Sequence, residues 1–161
     1  MRKQKNKLTY TYAGMSLRLD EKYHYLIPLL REYKSILTLP VDWDQDGAEV
    51  TKGKTWRHAV RFLHRLARRV HQRHGKRFSN PDINPGRDGS LDFKWEQGDY
   101  SLLINLKKGR PIIHWYGYDR MEFHKNPKSF AGEESKGMMR SSQIRKDLVD
   151  FFRFFLEPSQ V

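Results

Sequence analysis

Alternation of apolar and polar positions is clearest between residues 91 and 118. Leu91, Phe93 and Trp95 alternate with Asp92, Lys94 and Glu96; Gln97-Gly98-Asp99 has turn composition; 100–106 continues; Lys107-Lys108-Gly109-Arg110 turns again; and 111–118 closes the run. A period of two with short glycine-containing breaks predicts three antiparallel strands in a meander. Upstream, Trp56, Ala59/Val60, Leu63, Leu66/Ala67 and Val70 recur at spacings of three and four. That pattern predicts an amphipathic helix over 52–77, capped by Thr51 or Thr55 and ending near Gly75. Ile144, Leu148, Phe151/Phe152 and Phe155 place a further helix at 141–157, opened by Ser141 or Ser142.

The N-terminal third is less regular. Residues 7–12 alternate and read as a short strand ended by Gly14. Tyr23, Ile27, Leu30 and Leu37 predict a helix over 20–39 with Asp20 as its N-cap, in which Pro28 is a kink or a break into two pieces and Pro40 the stop. Residues 42–48 form a turn-rich connector, 79–89 is loop by composition, and 119–140 is a long irregular loop rich in Lys, Gly and Ser, a length that is usually functional or mobile. The expected fold class is α+β: a three-stranded antiparallel meander packed against the two later helices, with an additional N-terminal helix. The organisation is one domain over 1–161, made of an extension (1–39), a helix-plus-meander unit (40–118), the loop (119–140) and a C-terminal helix (141–157).

A length of 161 residues with 37% hydrophobic and 13% aromatic residues suits one packed core. The chain has no cysteine, which excludes disulfides and thiolate metal sites. Its basic N-terminus is followed by an alternating segment rather than an apolar run, and no stretch approaches a membrane span, so a cytoplasmic protein without a membrane partner is expected. No cofactor is expected either, since no glycine-rich phosphate loop, nucleophile elbow or Ser/His/Asp arrangement is spelled.

Charge changes the picture most. The net charge is +12, and no acidic residue lies between Glu49 and Asp82, where Lys52, Lys54, Arg57, Arg61, Arg65, Arg68, Arg69, Arg73, Lys76 and Arg77 fall. Charged helix faces usually carry both signs and form pairs four residues apart; this one has no acid of its own. A ridge of guanidinium groups at that spacing suits phosphate oxygens. The residues expected to contact nucleic acid, RNA or DNA, are therefore Lys54, Arg57, Arg61, Arg65, Arg68, Arg69, Arg73, Lys76 and Arg77. A solvated outer face is the competing reading.

Other motifs are shorter. Asp42-x-Asp44-x-Asp46-Gly47 matches the first half of a calcium loop, but the twelfth position would be Gly53, so a loop of turn-forming, helix-capping aspartates is the preferred reading and no metal is expected. Pro81-Asp82 with Asp92-Phe93-Lys94 has the spelling of the PD-(D/E)xK nucleases, in which Asp82 and Asp92 would hold a metal and Lys94 position water. His71 and His74 could share a helix face, yet they lie among arginines that repel a cation. His114 is a strand histidine, catalytic or structural. Trp115, Tyr116 and Tyr118 would stack on bases if exposed and otherwise belong to the core. Phe151, Phe152, Phe154 and Phe155 surround the last helix and suggest a protein interface or a buried helix.

Trp43-Asp44-x-x-Gly47-Ala48, the helix after it, Pro81-x-Ile83-x-Pro85 and Asp88-Gly89-Ser90-Leu91-x-Phe93-x-Trp95 resemble a group of small bacterial and phage-associated proteins over about residues 40–118. The resemblance implies a fold and a prokaryotic, phage or mobile-element setting without an activity, and the basic helix and the Asp92/Lys94 pair depart from that group. The helix, three strands, helix order is also similar in topology to the double-stranded-RNA-binding domain, which would ask Lys136, Arg140, Arg145 and Lys146 to bridge phosphates. Three functions are thus expected, in this order: a non-enzymatic nucleic-acid-binding protein; an antitoxin-like or inhibitor subunit docking on an acidic protein; and a metal-dependent nuclease.

Overall fold

The computed structural model describes residues 7–12, 14–119 and 135–158. The chain opens with a hairpin of β1 (Lys7–Tyr12) and β2 (Met15–Asp20), in register from Lys7 opposite Asp20 to Tyr12 opposite Met15. The expectation had only the first strand, although Met15, Leu17 and Leu19 alternate with Ser16, Arg18 and Asp20. Asp20 therefore ends a strand and makes no side-chain cap. The helix expected over 20–39 is three pieces: a 3-10 turn at Glu21–Tyr23, α1 (Leu26–Glu32) and a second 3-10 segment at Tyr33–Thr38. Pro28 is the physical reason, because a residue without an N–H is tolerated in the first turn of α1 but not deeper in a continuous helix.

α2 (Gly53–His74) follows the predicted stripe: Trp56, Ala59, Val60, Phe62, Leu63, Leu66, Ala67 and Val70 are buried along it. Gly75 ends it in the left-handed conformation, φ 68°, with its N–H donating to the His71 carbonyl. Neither threonine caps the start. Lys52 holds that position; Thr55 is buried and its hydroxyl accepts from the Gly109 N–H at 2.9 Å, which ties the helix to the sheet instead.

The sheet overturns the three-stranded expectation. It has five antiparallel strands in the order β3-β4-β5-β6-β7: β3 (Asp82–Pro85), β4 (Leu91–Gln97), β5 (Tyr100–Leu106), β6 (Ile112–Asp119) and β7 (Ser135–Arg140). The predicted meander is its centre. β3 comes from the stretch read as loop: as an edge strand it accommodates Pro85, which has no N–H to donate. β7 comes from the segment 119–140 read as a long loop. Gly137 made it look irregular, yet a Cβ there would lie 2.6 Å from Trp115 Nε1, so only glycine fits opposite that indole. Residues 120–134 of that segment lie outside the described residues. The extra strands also remove the likeness to the double-stranded-RNA-binding topology.

The C-terminal helix is shorter than expected. α3 (Lys146–Phe151) starts from Arg145 rather than Ser141 or Ser142, and a 3-10 turn, Phe152–Phe155, continues it. Ser141 is buried and its N–H donates to the Pro111 carbonyl at 2.7 Å, a strand-like contact that delays the helix.

One face of the sheet carries Ile83, Leu91, Phe93, Trp95, Leu102, Ile104, Leu106, Ile113 and Trp115 into a core shared with α2 and the C-terminal segment. The hairpin and α1 extend that core along the other flank of α2. Edge-to-face rings join the layers, with Trp95 5.7 Å from Phe78 and 5.0 Å from Phe152. The opposite face, bearing Lys94, Leu103, Tyr116 and Met138, is open. Among the described residues no helix is long and apolar enough to cross a membrane.

Candidate nucleic-acid interface

At about 100° per residue, Lys54, Arg57, His58, Arg61, Arg65, Arg68, Arg69 and Gln72 share roughly one third of the circumference of α2. This arc points away from the buried stripe. Lys54, Arg61, Arg68 and Arg69 are exposed, and Arg57 and Arg65 half-buried. From Lys54 to Arg69 the ridge is about 22 Å long at 1.5 Å per residue, long enough for several phosphates of one strand.

The arginines are sorted by what they meet. Arg73 donates to Asp150 at 2.6 Å and Arg77 to Glu157, so the expected site residues at the C-terminal end of α2 are ion-paired within the fold. His74 contacts the Val149 carbonyl at 2.9 Å, and Arg69 reaches the Ile144 carbonyl at 3.4 Å. Lys76 is exposed just past the helix. Along the middle of α2, Arg61, Arg65 and Arg68 have no carboxylate partner among the described residues. The Asp150 carboxyl is held below its ordinary range by the Arg73 bond, against the smaller opposing effect of burial.

His58 reports the resulting field. Burial first, then the charges of Lys54, Arg61, Arg57 and Arg65, push its pKa below the ordinary value. His64 is depressed chiefly by burial and next by Arg68, with Asp20 opposing. Burial and the cations crowded on this face thus act in the same direction on both imidazoles, disfavouring their charged forms.

Towards its C-terminal half the ridge borders a concavity of about 440 Å3, where Arg65, Arg68, Arg69 and Gln72 face Ser142, Gln143 and Ile144. The sequence linked these two segments by no signal, because they are some seventy residues apart and are brought together by the packing of α3 on α2 and the Arg69 bond to the Ile144 carbonyl.

The other candidates resolve differently. Asp42, Asp44 and Asp46 build a turn: Asp42 Oδ1 accepts from the Gly47 N–H, and Asp44 Oδ1 from the N–H groups of Asp46 and Ala48. Arg87 ties it down, 2.7 Å from Asp44 and 2.6 Å from Asp46. The two halves of the W-D-x-x-G-A and D-G-S-L patterns therefore clasp each other, helped by the bridge of Glu49 with Asp88. These bonds, from N–H groups and a guanidinium, engage Asp42 Oδ1, both Asp44 oxygens and Asp46 Oδ2 in holding the turn. Among the described residues no group of three or more His, Asp or Glu could hold a metal.

Asp82, Asp92 and Lys94 do share the open sheet face, with Asp82 directly opposite Lys94. Each has a partner of its own: Tyr33 donates to Asp82 at 3.4 Å, Asn105 to Asp92 at 2.6 Å, and Lys94 pairs with Glu96 at 2.8 Å. Nearby, Asp88, Asp92, Asn105, Lys107, His114 and Tyr116 line a second concavity of about 420 Å3 whose charges are of both signs. The aromatics divide: Trp115 is core, and Tyr116, on the open face, is 48% exposed.

The histidines and phenylalanines are placed by what they pack against. His71 packs edge-on to Tyr23, while His74 turns to the Val149 carbonyl. Of the two readings of the phenylalanine surplus, an interface or a buried helix, the packing fits the second: Phe151, Phe152 and Phe155 are buried in the chain's own core, and Phe154 stacks on Tyr100 at 3.8 Å. The helix is a buried one. Arg140 and Lys136 sit on β7 and Arg145 pairs with Asp147, so the set Lys136, Arg140, Arg145 and Lys146 forms no helix-start cluster.

No protein-family model matches the chain, and no curated protein or solved structure matches it either.

Proposed function

We propose that the protein binds nucleic acid without catalysing a reaction on it, through the outer face of α2, with Lys54, Arg57, Arg61, Arg65, Arg68 and Arg69 contacting phosphates. One observation carries the reading. The fold supplies Asp150 and Glu157 to the cations at the end of α2 and leaves Arg61, Arg65 and Arg68 without a carboxylate among the described residues. Like charges in a row raise the energy of the free state, and a row of phosphates relieves that repulsion while releasing counterions. Arg73 and Arg77 are engaged within the fold, which narrows the contact set to the centre of the helix.

Contacts of this kind read the backbone rather than the bases, so both RNA and DNA are substrates for binding, in the prokaryotic or phage setting the turn and strand motifs suggest. The test is fluorescence anisotropy with labelled RNA and DNA across a salt series with magnesium present. Five or six phosphate contacts give a slope of log affinity against log salt of roughly −4.5 to −5.5 on duplex DNA. Lys54→Glu with Arg61→Glu should weaken binding by at least about tenfold and flatten that slope. Unchanged affinity in this folded variant would sink the proposal. Absence of binding at low salt would redirect the search to an acidic protein partner, and cleavage with magnesium to Asp82, Asp92 and Lys94.

A further inference from the structure

Lys54 and Arg61 stand on open helix surface, whereas Arg65, Arg68 and Arg69 line the concavity between α2 and the turn that leads into α3. Three guanidinium groups within little more than one helical turn repel one another. No carboxylate is among the lining residues, and the acids of the adjoining helix are engaged elsewhere, Asp147 with Arg145 and Asp150 with Arg73. The wall facing α2 is fixed rather than pliable. Ser141 is anchored by its N–H to the Pro111 carbonyl, the Gln143 N–H donates to the Arg140 carbonyl at 2.9 Å, and the Ile144 carbonyl accepts from Arg69. That turn presents the exposed Ser142 and Gln143 across from the arginines, adding uncharged hydroxyl and amide donors to a cationic wall.

We infer that this cleft is a seat for a phosphate dianion: the terminal phosphomonoester of a bound strand, or free phosphate of the same chemistry. The inference rests on the reading of α2 as a phosphate-binding helix and adds a second kind of phosphate to it. A backbone phosphodiester carries one negative charge, which a single exposed arginine on the ridge matches. Converging guanidiniums with no acid between them are better matched by a monoester, whose charge near neutral pH is about −1.5 to −2 and whose three free oxygens accept several donors at once. A volume of about 440 Å3 exceeds what a bare ion needs and leaves room for the nucleotide attached to it, against the apolar side of Ile144. The strand end would then lie at the C-terminal half of α2, with the rest of the strand running along the ridge towards Lys54.

The experiment compares the full chain binding one short single-stranded oligonucleotide in hydroxyl-ended and terminally phosphorylated forms. In parallel, inorganic phosphate alone is titrated while the backbone amide resonances of Ser142 and Gln143 are followed by NMR. The phosphorylated strand should bind roughly tenfold more tightly, the size of effect expected for added charge-assisted bonds. Ser142→Ala with Gln143→Ala, both exposed and outside the core, should lower that advantage severalfold, the arginines supplying the remainder, and an undiminished advantage would remove this turn from the seat. Resonance shifts with inorganic phosphate but no advantage for the phosphorylated strand would assign the seat to free phosphate. Neither shifts nor advantage would overturn it. Failure of the helix reading is separate: it shows as hydroxyl-ended binding that Lys54→Glu with Arg61→Glu does not change.

Discussion

Gly117 has no side chain because Phe151 occupies the space beside it; a Cβ there would lie 2.7 Å from the ring. Gly117→Ala should therefore cost about 1–3 kcal/mol of stability in urea unfolding, with part of that loss recovered when Phe151 is also changed to Leu. An unaltered midpoint for Gly117→Ala would show that the ring yields freely. His58 offers a pH test. Its folded pKa lies below the ordinary value near 6.5, so the unfolded chain takes up the proton first, and its contribution to stability is full above that value and declines as pH falls below it. A bound anion acts the other way: phosphates offset the part of the depression that comes from Lys54, Arg61, Arg57 and Arg65, though not the larger part that comes from burial, so affinity should rise modestly as pH drops from about 7.5 to 5.5. His58→Gln should remove most of this pH dependence in anisotropy titrations. Nothing at the residue level in the sequence announced Gly117 or His58, since the relevance of each depends on what packs against it.

At the scale of elements, α2 and the central strands were legible because their signal is local. Val70, Leu66, Leu63 and Trp56 repeat on one side of a helix whatever else the chain does, and Gly75 follows the last of them. Gly75→Ala forces a side chain into the left-handed region at the helix end and should cost about 1 kcal/mol, with Gly75→Asn costing less, in thermal or urea unfolding. β3 and β7 were not legible for the converse reason. Each is an edge strand that pairs on one side only, so proline and glycine are permitted there and the usual alternation is weak. The turn at 42–48 looked like a cation loop because carboxylates and a glycine suit both a metal and a tight turn. Arg87, more than forty residues on, decided for the turn. Desolvation, the largest single influence, pushes the Asp44 carboxyl up, but the N–H groups of Asp46 and Ala48 and the Arg87 guanidinium together outweigh it and hold the carboxyl below its ordinary range. That contribution is present above the unfolded carboxyl's pKa and lost as pH falls through the lower folded value. Arg87→Ala should accordingly destabilise the protein at neutral pH and make acid unfolding less steep; an identical acid transition in the variant would show that the clasp contributes nothing.

For the whole molecule, the C-terminal segment closes the core. Phe152 and Phe155 are fully buried, and Phe152 packs on both Phe78 and Trp95. A chain ending before Lys146 should lose cooperative unfolding followed by tryptophan fluorescence, because it leaves the aromatic layer uncovered. The same packing places the turn before α3 against the arginines of α2 and so makes the cleft. By itself the sequence determined the amphipathic helix, the three central strands, the aromatic character of the core and the acid-free run of cations, all of which follow from spacing within one segment. Only the tertiary structure decided the five-stranded sheet, the broken N-terminal helix, the buried role of the phenylalanines and the division between compensated and uncompensated arginines. Those depend on which distant segment lies opposite, and periodicity along the chain carries no record of the partner across the gap.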